Sequence, residues 1–141
     1  MTLNEKKERL VRELSALPTG EDRLTYLISL ARARPSLSPD LRTDAHLIPG
    51  CLAKLWFVPC FSHGQCHFNC DSDSLVVKAV ASLLCDLYDG QKPAEILAHD
   101  PSFLAPLGIT QHLTPNRRNS LSKIWEYIRF YAAANDGLWP T

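Results

Sequence analysis

Leu3, Leu10, Val11, Leu14 and Leu17 recur at the spacing of one helix face, and Pro18 with Gly20 closes that segment. A second stripe, Leu24, Leu27, Ile28 and Ala31, follows Thr19, which can cap it with Asp22 three residues on, and Pro35 stops it. The pattern predicts two opening helices. Residues 35–50 hold Pro35, Ser36, Ser38, Pro39 and Pro49 and end at Gly50, which predicts a long irregular connection of the kind that often carries function. Residues 52–61 are aromatic and branched, Ser62-His63-Gly64-Gln65 supplies a turn, and residues 66–70 return as a second strand. Pro59 favours an edge position in this hairpin. Asp71, Ser72 and Asp73 then precede Leu75, Val76, Ala79, Val80, Leu83, Leu84 and Leu87, a strong apolar helix pattern expected at the centre of the fold, with the aspartates as its caps. Pro93 opens a short helix that Asp100-Pro101 breaks. Thr114-Pro115 starts a last helix that turns Leu121, Ile124, Trp125, Ile128 and Tyr131 toward the core and frays after Ala134.

Composition narrows the function classes. A chain of 141 residues fits a single domain spanning residues 1–141, with enough core to fold without disulfide or structural metal. Lys plus Arg (15) equals Asp plus Glu (15), so no basic excess exists to neutralise a phosphate backbone, and nucleic acid is excluded as a main partner. The polar start lacks a secretory pattern, and Lys78 interrupts the richest apolar stretch, residues 75–87, which is too short to cross a bilayer. The expectation is a cytoplasmic protein with no membrane association. Five cysteines is an odd number, and thiols stay free in a reducing compartment, so at least one is a candidate for chemistry or metal.

Cys51 follows Ile48-Pro49-Gly50, where proline presets the first turn position and glycine permits the positive φ of the next. That places a thiol at a loop tip just before a strand; the competing reading is a small apolar side chain filling a gap. Cys60, His63, Cys66, His67 and Cys70 have the ligand density of a zinc site. On a strand, however, Cys66 and Cys70 share one face and His67 takes the other, so one tetrahedral site cannot use them all, and no bound metal is expected. Cys85, inside the central helix, reads as core. A cysteine hydrolase would need His112 or His46 as base, but no nucleophile signature surrounds Cys51. Arg117, near a helix start, sits against dipole logic, which points to another job.

Leu47-Ile48-Pro49-Gly50-Cys51 followed by Trp56, Asp71-Ser72-Asp73 before the central helix, and Thr110-Gln111-His112-Leu113-Thr114-Pro115-Asn116-Arg117 with Leu121 beyond resemble, in order, the three signature blocks of the SufE and CsdE sulfur-acceptor family. The resemblance runs from about residue 24 to residue 128. It implies an α+β fold, a small antiparallel β-sheet flanked by helices, similar to that of IscU-type scaffolds. It also implies a sulfur acceptor and carrier that takes persulfide sulfur from a pyridoxal phosphate-dependent, SufS- or CsdA-like cysteine desulfurase onto Cys51. Such a protein stimulates the desulfurase and passes sulfur to iron-sulfur cluster assembly on a scaffold such as SufBCD, as a non-enzymatic partner with no cofactor of its own. Gly50, Asp71, Asp73, His112 and Arg117 are then the supporting-loop or partner-contact residues. The alternative of a different class is a zinc- or Fe-S-binding IscU-like scaffold, which would need three or four ligands converging on one metal.

The sequence departs from the family pattern in two places. Cys70 stands where the family usually has glycine, and Ala53 with Lys54 replaces the polar residues that commonly follow the reactive cysteine. Two expectations follow for the site. Cys70 beside the acidic loop reads first as a thiol tolerated where glycine is usual, and second as a neighbour of Cys51 across the hairpin, acting as a secondary sulfur acceptor or forming a reversible disulfide; Leu47, Ile48 and Leu52 are expected to fold over the Cys51 sulfur, with Pro49 and Gly50 as hinge.

Overall fold

The computed structural model describes residues 1–137. Helix α1 (Leu3–Ser15) starts at a capping box in which Thr2 and Glu5 satisfy each other's backbone N–H, and it buries Leu3 and Leu14. Helix α2 (Gly20–Ala33) is capped by Thr19 and buries Leu24, Leu27 and Ala31. Arg23 fastens the corner between them, donating to the carbonyls of Leu14, Leu17 and Leu107 at 2.8–2.9 Å. The long connection that follows holds a single 3-10 turn, Asp44–His46.

Strands β1 (Leu55–Ser62) and β2 (Gln65–Ser72) pair antiparallel, with Leu55 opposite Ser72 and Ser62 opposite Gln65. The connecting turn is His63-Gly64, and both residues have left-handed φ (54° and 75°), the requirement of a two-residue hairpin turn matched to strand twist. The strand begins at Leu55 rather than Leu52, because residues 51–53 protrude as a loop and Lys54 is bonded to Ser72 and Asp73 at its exit. Pairing continues through Asp71 and Ser72, beyond the expected end at Cys70. Cys66, Phe68 and Cys70 point inward, while His67 and Asn69 face out. Pro59 costs the ladder nothing: it opposes Phe68, whose N–H donates outward to Asp89 instead.

The hairpin's inner face lies on two helices. Phe57 stacks on Phe68 with ring centroids 5.7 Å apart, and Tyr127 and Tyr131 meet these rings edge-on. Helix α3 (Leu75–Tyr88) packs between β2, α1, α2 and the last helix, and for that reason is buried nearly all round, from Val77 to Tyr88. Helix α4 (Pro93–Ala98) and a 3-10 segment, Pro101–Leu107, lead to α5 (Pro115–Asn135), which is capped by Thr114 and buries Ile124, Ile128 and Ala132. The architecture is α+β. Among the described residues no helix is long and apolar enough to cross a membrane.

Candidate functional site

The Cys51 loop is tied down at both ends and at its turn. Ile48 N–H donates to the Leu55 carbonyl at 2.9 Å, and both side chains are buried, so the six residues between them must protrude. Gly50 adopts φ +83°, a conformation that a side chain would strain. Its carbonyl accepts from Asn119 Nδ2 of α5 at 3.0 Å, and Lys123 Cε stands 3.7 Å from where a Cβ on Gly50 would lie. At the exit, Lys54 N–H donates to Asp73 Oδ1 at 3.0 Å, and the Lys54 carbonyl accepts from the Ser72 hydroxyl at 2.7 Å. Cys51 is half-buried against the core, whereas the neighbouring Leu52 is 82% exposed. The expected apolar cover is thus incomplete: Ile48 turns into the core and Leu52 into solvent.

The aspartates expected as helix caps do other work. The N-cap of α3 is Ser74, whose hydroxyl accepts from Val77 N–H. Asp71 is 2% exposed and accepts from Leu37 N–H at 3.0 Å. Lys78 Nζ and Arg42 Nε lie 3.5 and 3.6 Å from its carboxylate. Arg42 also covers the Trp56 ring at 4.4 Å, so Asp71, Arg42 and Trp56 bind the 35–50 connection to the base of the hairpin. Asp73 is exposed and spends its carboxylate on the loop exit. A carboxylate beside a helix start is a reasonable cap by residue type; here a tertiary donor is nearer than the helix amides.

His112 is exposed in a 3-10 turn, and Arg117 is half-buried in the first turn of α5. Among the described residues the Arg117 guanidinium has no hydrogen-bond or ion-pair partner. None of the described residues hydrogen-bonds Cys51 Sγ, so the base that a hydrolase would hold against its nucleophile is missing at that position. Asn119, Lys123, Arg42 and Lys78 were missed by residue-type reasoning. Two signals were there to find three of them: Asn119 and Lys123 are four apart and share a helix face, and a lysine such as Lys78 inside an apolar helix pattern calls for a buried partner.

The remaining cysteines divide by burial. Cys60 is exposed on the outer face, opposite His67. Cys66 is fully buried, and burial pushes its thiol up to about 11. Cys70 turns inward to α3, 3.7 Å from Ser82 Oγ, and is 1% exposed. That orientation supports the plainer reading of Cys70, a thiol accommodated where glycine is usual, over a disulfide partner for Cys51. Cys85 is fully buried in α3. Among the described residues no three His, Cys, Asp or Glu side chains converge as a metal site, so the scaffold alternative lacks its ligand set there.

Residues 8–132 match the family model described as SufE, Fe-S metabolism associated domain. The fold is similar to the solution structure of a hypothetical protein from Thermus thermophilus, with a TM-score of 0.72 at 21% identity over 92% of this chain and 94% of that one.

Proposed function

Since the chain belongs to the SufE family of Fe-S metabolism proteins, we propose that it acts as a single SufE-like domain over residues 1–141, accepting sulfane sulfur on Cys51 from a cytoplasmic, pyridoxal phosphate-dependent cysteine desulfurase and delivering it to an iron-sulfur scaffold such as SufBCD. The observation that supports this reading most is the state of the five thiols: only Cys51 and Cys60 are open to a partner, and only Cys51 rides on a protruding loop.

In the proposed step the Cys51 thiolate attacks the terminal sulfur of the donor's cysteine persulfide. The donor's S–S bond breaks, its cysteine leaves as thiolate, and Cys51 becomes the persulfide. The carbon–sulfur cleavage that generates this sulfur belongs to the donor and its cofactor, so this chain needs nucleophile placement and a docking surface rather than a cofactor. Leu52 at the tip supplies an apolar contact beside the thiol, and in this reading Gly50, the exposed His112 and the half-buried Arg117 serve as partner-contact residues. Asp71 and Asp73 hold the loop base. Outward movement of Cys51 toward the donor requires release of the Asn119–Gly50 and Asp73–Lys54 hydrogen bonds, with Pro49 and Gly50 as hinge.

The test is incubation with desulfurase and free cysteine, read by intact-protein mass. The wild-type chain gains one sulfur atom, Cys51→Ser gains none and no longer stimulates the desulfurase, and Cys60→Ser keeps most of both. Sulfur carried by the Cys51→Ser variant would overturn the assignment.

A further inference from the structure

The face of α5 that holds the Cys51 loop continues past it. Asn119, Lys123, Tyr127 and Tyr131 follow one another at intervals of one helical turn, so they form a single stripe. The first two meet Gly50, through the Asn119 hydrogen bond to its carbonyl and through Lys123 Cε. The last two line a groove of about 320 Å³ whose other walls include Leu47, Phe57, Pro59 and Phe130. Leu47 bridges to Trp56 in the segment that leads into Cys51, so groove and thiol loop share a stretch of chain as well as a helix face. Among the described residues no Asp, Glu, Lys or Arg lines this groove, whereas Lys6, Arg9, Glu13, Arg34 and Asp86 all line a groove of about 460 Å³ between α1, α2 and α3. Phe130 is 75% exposed at its edge, and Leu52, at the tip of the thiol loop, is 82% exposed.

We propose that this groove, with Phe130 at its edge, is a second anchor for the sulfur-donating desulfurase and takes an apolar side chain from that enzyme's surface; the inference rests on the reading of Cys51 as the sulfur acceptor. The dimensions fit one interface. Asn119, which touches the thiol loop, and Phe130 lie about 16 Å apart along the helix axis. A stable interface covers about 800 Å² of each partner, a disc about 32 Å across, so a partner seated midway along this face covers both Leu52 and Phe130. The uncharged lining selects the occupant, because an ionic side chain would lose its water there and find no opposite charge. The walls are fixed in advance: Tyr127 and Tyr131 meet Phe57 and Phe68 edge-on, so little ordering is needed on binding. The partner is the donor and not the acceptor, because Cys51 has to meet the donor before it has sulfur to deliver. Contact at the groove also supplies binding free energy remote from the thiol, which offsets the release of the Asn119–Gly50 bond.

The experiment measures, by titration calorimetry, the affinity of the full-length chain for the desulfurase that loads Cys51, and the acceptor concentration that gives half-maximal loading by intact-protein mass. Phe130→Asp is expected to weaken both by about tenfold or more, while Phe130→Leu stays within about threefold of wild type. Phe130 is exposed, so the variant keeps its fold, and an unchanged rate of Cys51 alkylation by iodoacetamide in the free protein checks that the thiol loop is intact. Leu30→Asp is the control: Leu30 is 51% exposed on α2, which α3 separates from α5, and the same change of charge there should leave the affinity at the wild-type value. Wild-type affinity in Phe130→Asp, or an equal loss in Leu30→Asp, overturns the inference while leaving Cys51 as acceptor. So does a Phe130→Asp chain that loads as wild type but fails to pass its sulfur to the scaffold, which would assign the groove to the acceptor. A wild-type chain that gains no sulfur on Cys51 overturns the acceptor reading itself, and this inference with it.

Discussion

Asp73 and Lys54 bond to each other twice: Lys54 N–H donates to the Asp73 carboxylate at 3.0 Å, and Asp73 N–H donates to the Lys54 carbonyl at 3.2 Å. The exit of the Cys51 loop is thereby tied to the segment that starts α3. Asp73→Ala removes the first bond and leaves the second. The expected result is several-fold faster alkylation of Cys51 by iodoacetamide at fixed pH, with stability lowered by about 1 kcal/mol and the melting temperature by about 3 °C. An unchanged Cys51 rate would show that this bond does not restrain the loop.

Asp71 carries the heavier structural duty. Its carboxylate is 2% exposed and the Lys78 side chain 9%, so removing one leaves the other charged, buried and poorly paired. Asp71→Ala is expected to cost about 3–5 kcal/mol in urea unfolding. Arg42→Ala, at a partner that is 37% exposed, should cost well under half of that. Equal losses for the two variants would contradict this division.

Thiol reactivity should fall into two classes. Cys51 and Cys60 are expected to react quickly with Ellman's reagent in native protein at pH 8, and Cys66, Cys70 and Cys85 only after unfolding. For Cys66 the reason is also electrostatic: a thiol pushed to about 11 is ionised in about one molecule per thousand at pH 8. The same shift has a stability consequence. The folded state holds the Cys66 proton more tightly than the unfolded chain, whose thiol titrates near about 8.5, so its contribution is complete below that pH and is lost as pH rises through about 11. Tyr88, raised by burial, acts in the same direction. Urea midpoints between about pH 7 and 10.5 should fall toward the alkaline end in wild type, and less steeply in Cys66→Ala.

Much of the element order was readable because its signals are local. Thr19, Thr114 and the prolines bound helices through backbone chemistry that involves only a few neighbours, and the period-two pattern placed Cys66 and Cys70 on one strand face and His67 on the other. The same locality explains the errors. Asp71 and Asp73 look like caps when only the next turn of chain is considered, and Cys70 looks like a neighbour of Cys51 when its strand is considered without the helix it packs on.

By itself the sequence determined the α+β element order, the family, and the singular position of Cys51 after a Pro-Gly turn, because dihedral preferences, hydrophobic period and motif residues are properties of short stretches. Only the tertiary structure decided what holds that turn, since the Asn119 bond to Gly50 spans 69 residues and the Asp71 contact with Leu37 spans 34. It also decided where Cys70 points, toward Ser82 of α3. Such contacts depend on how α3 and α5 lie against the hairpin, and the pairing of distant polar groups follows from that packing, not from any pattern within one segment.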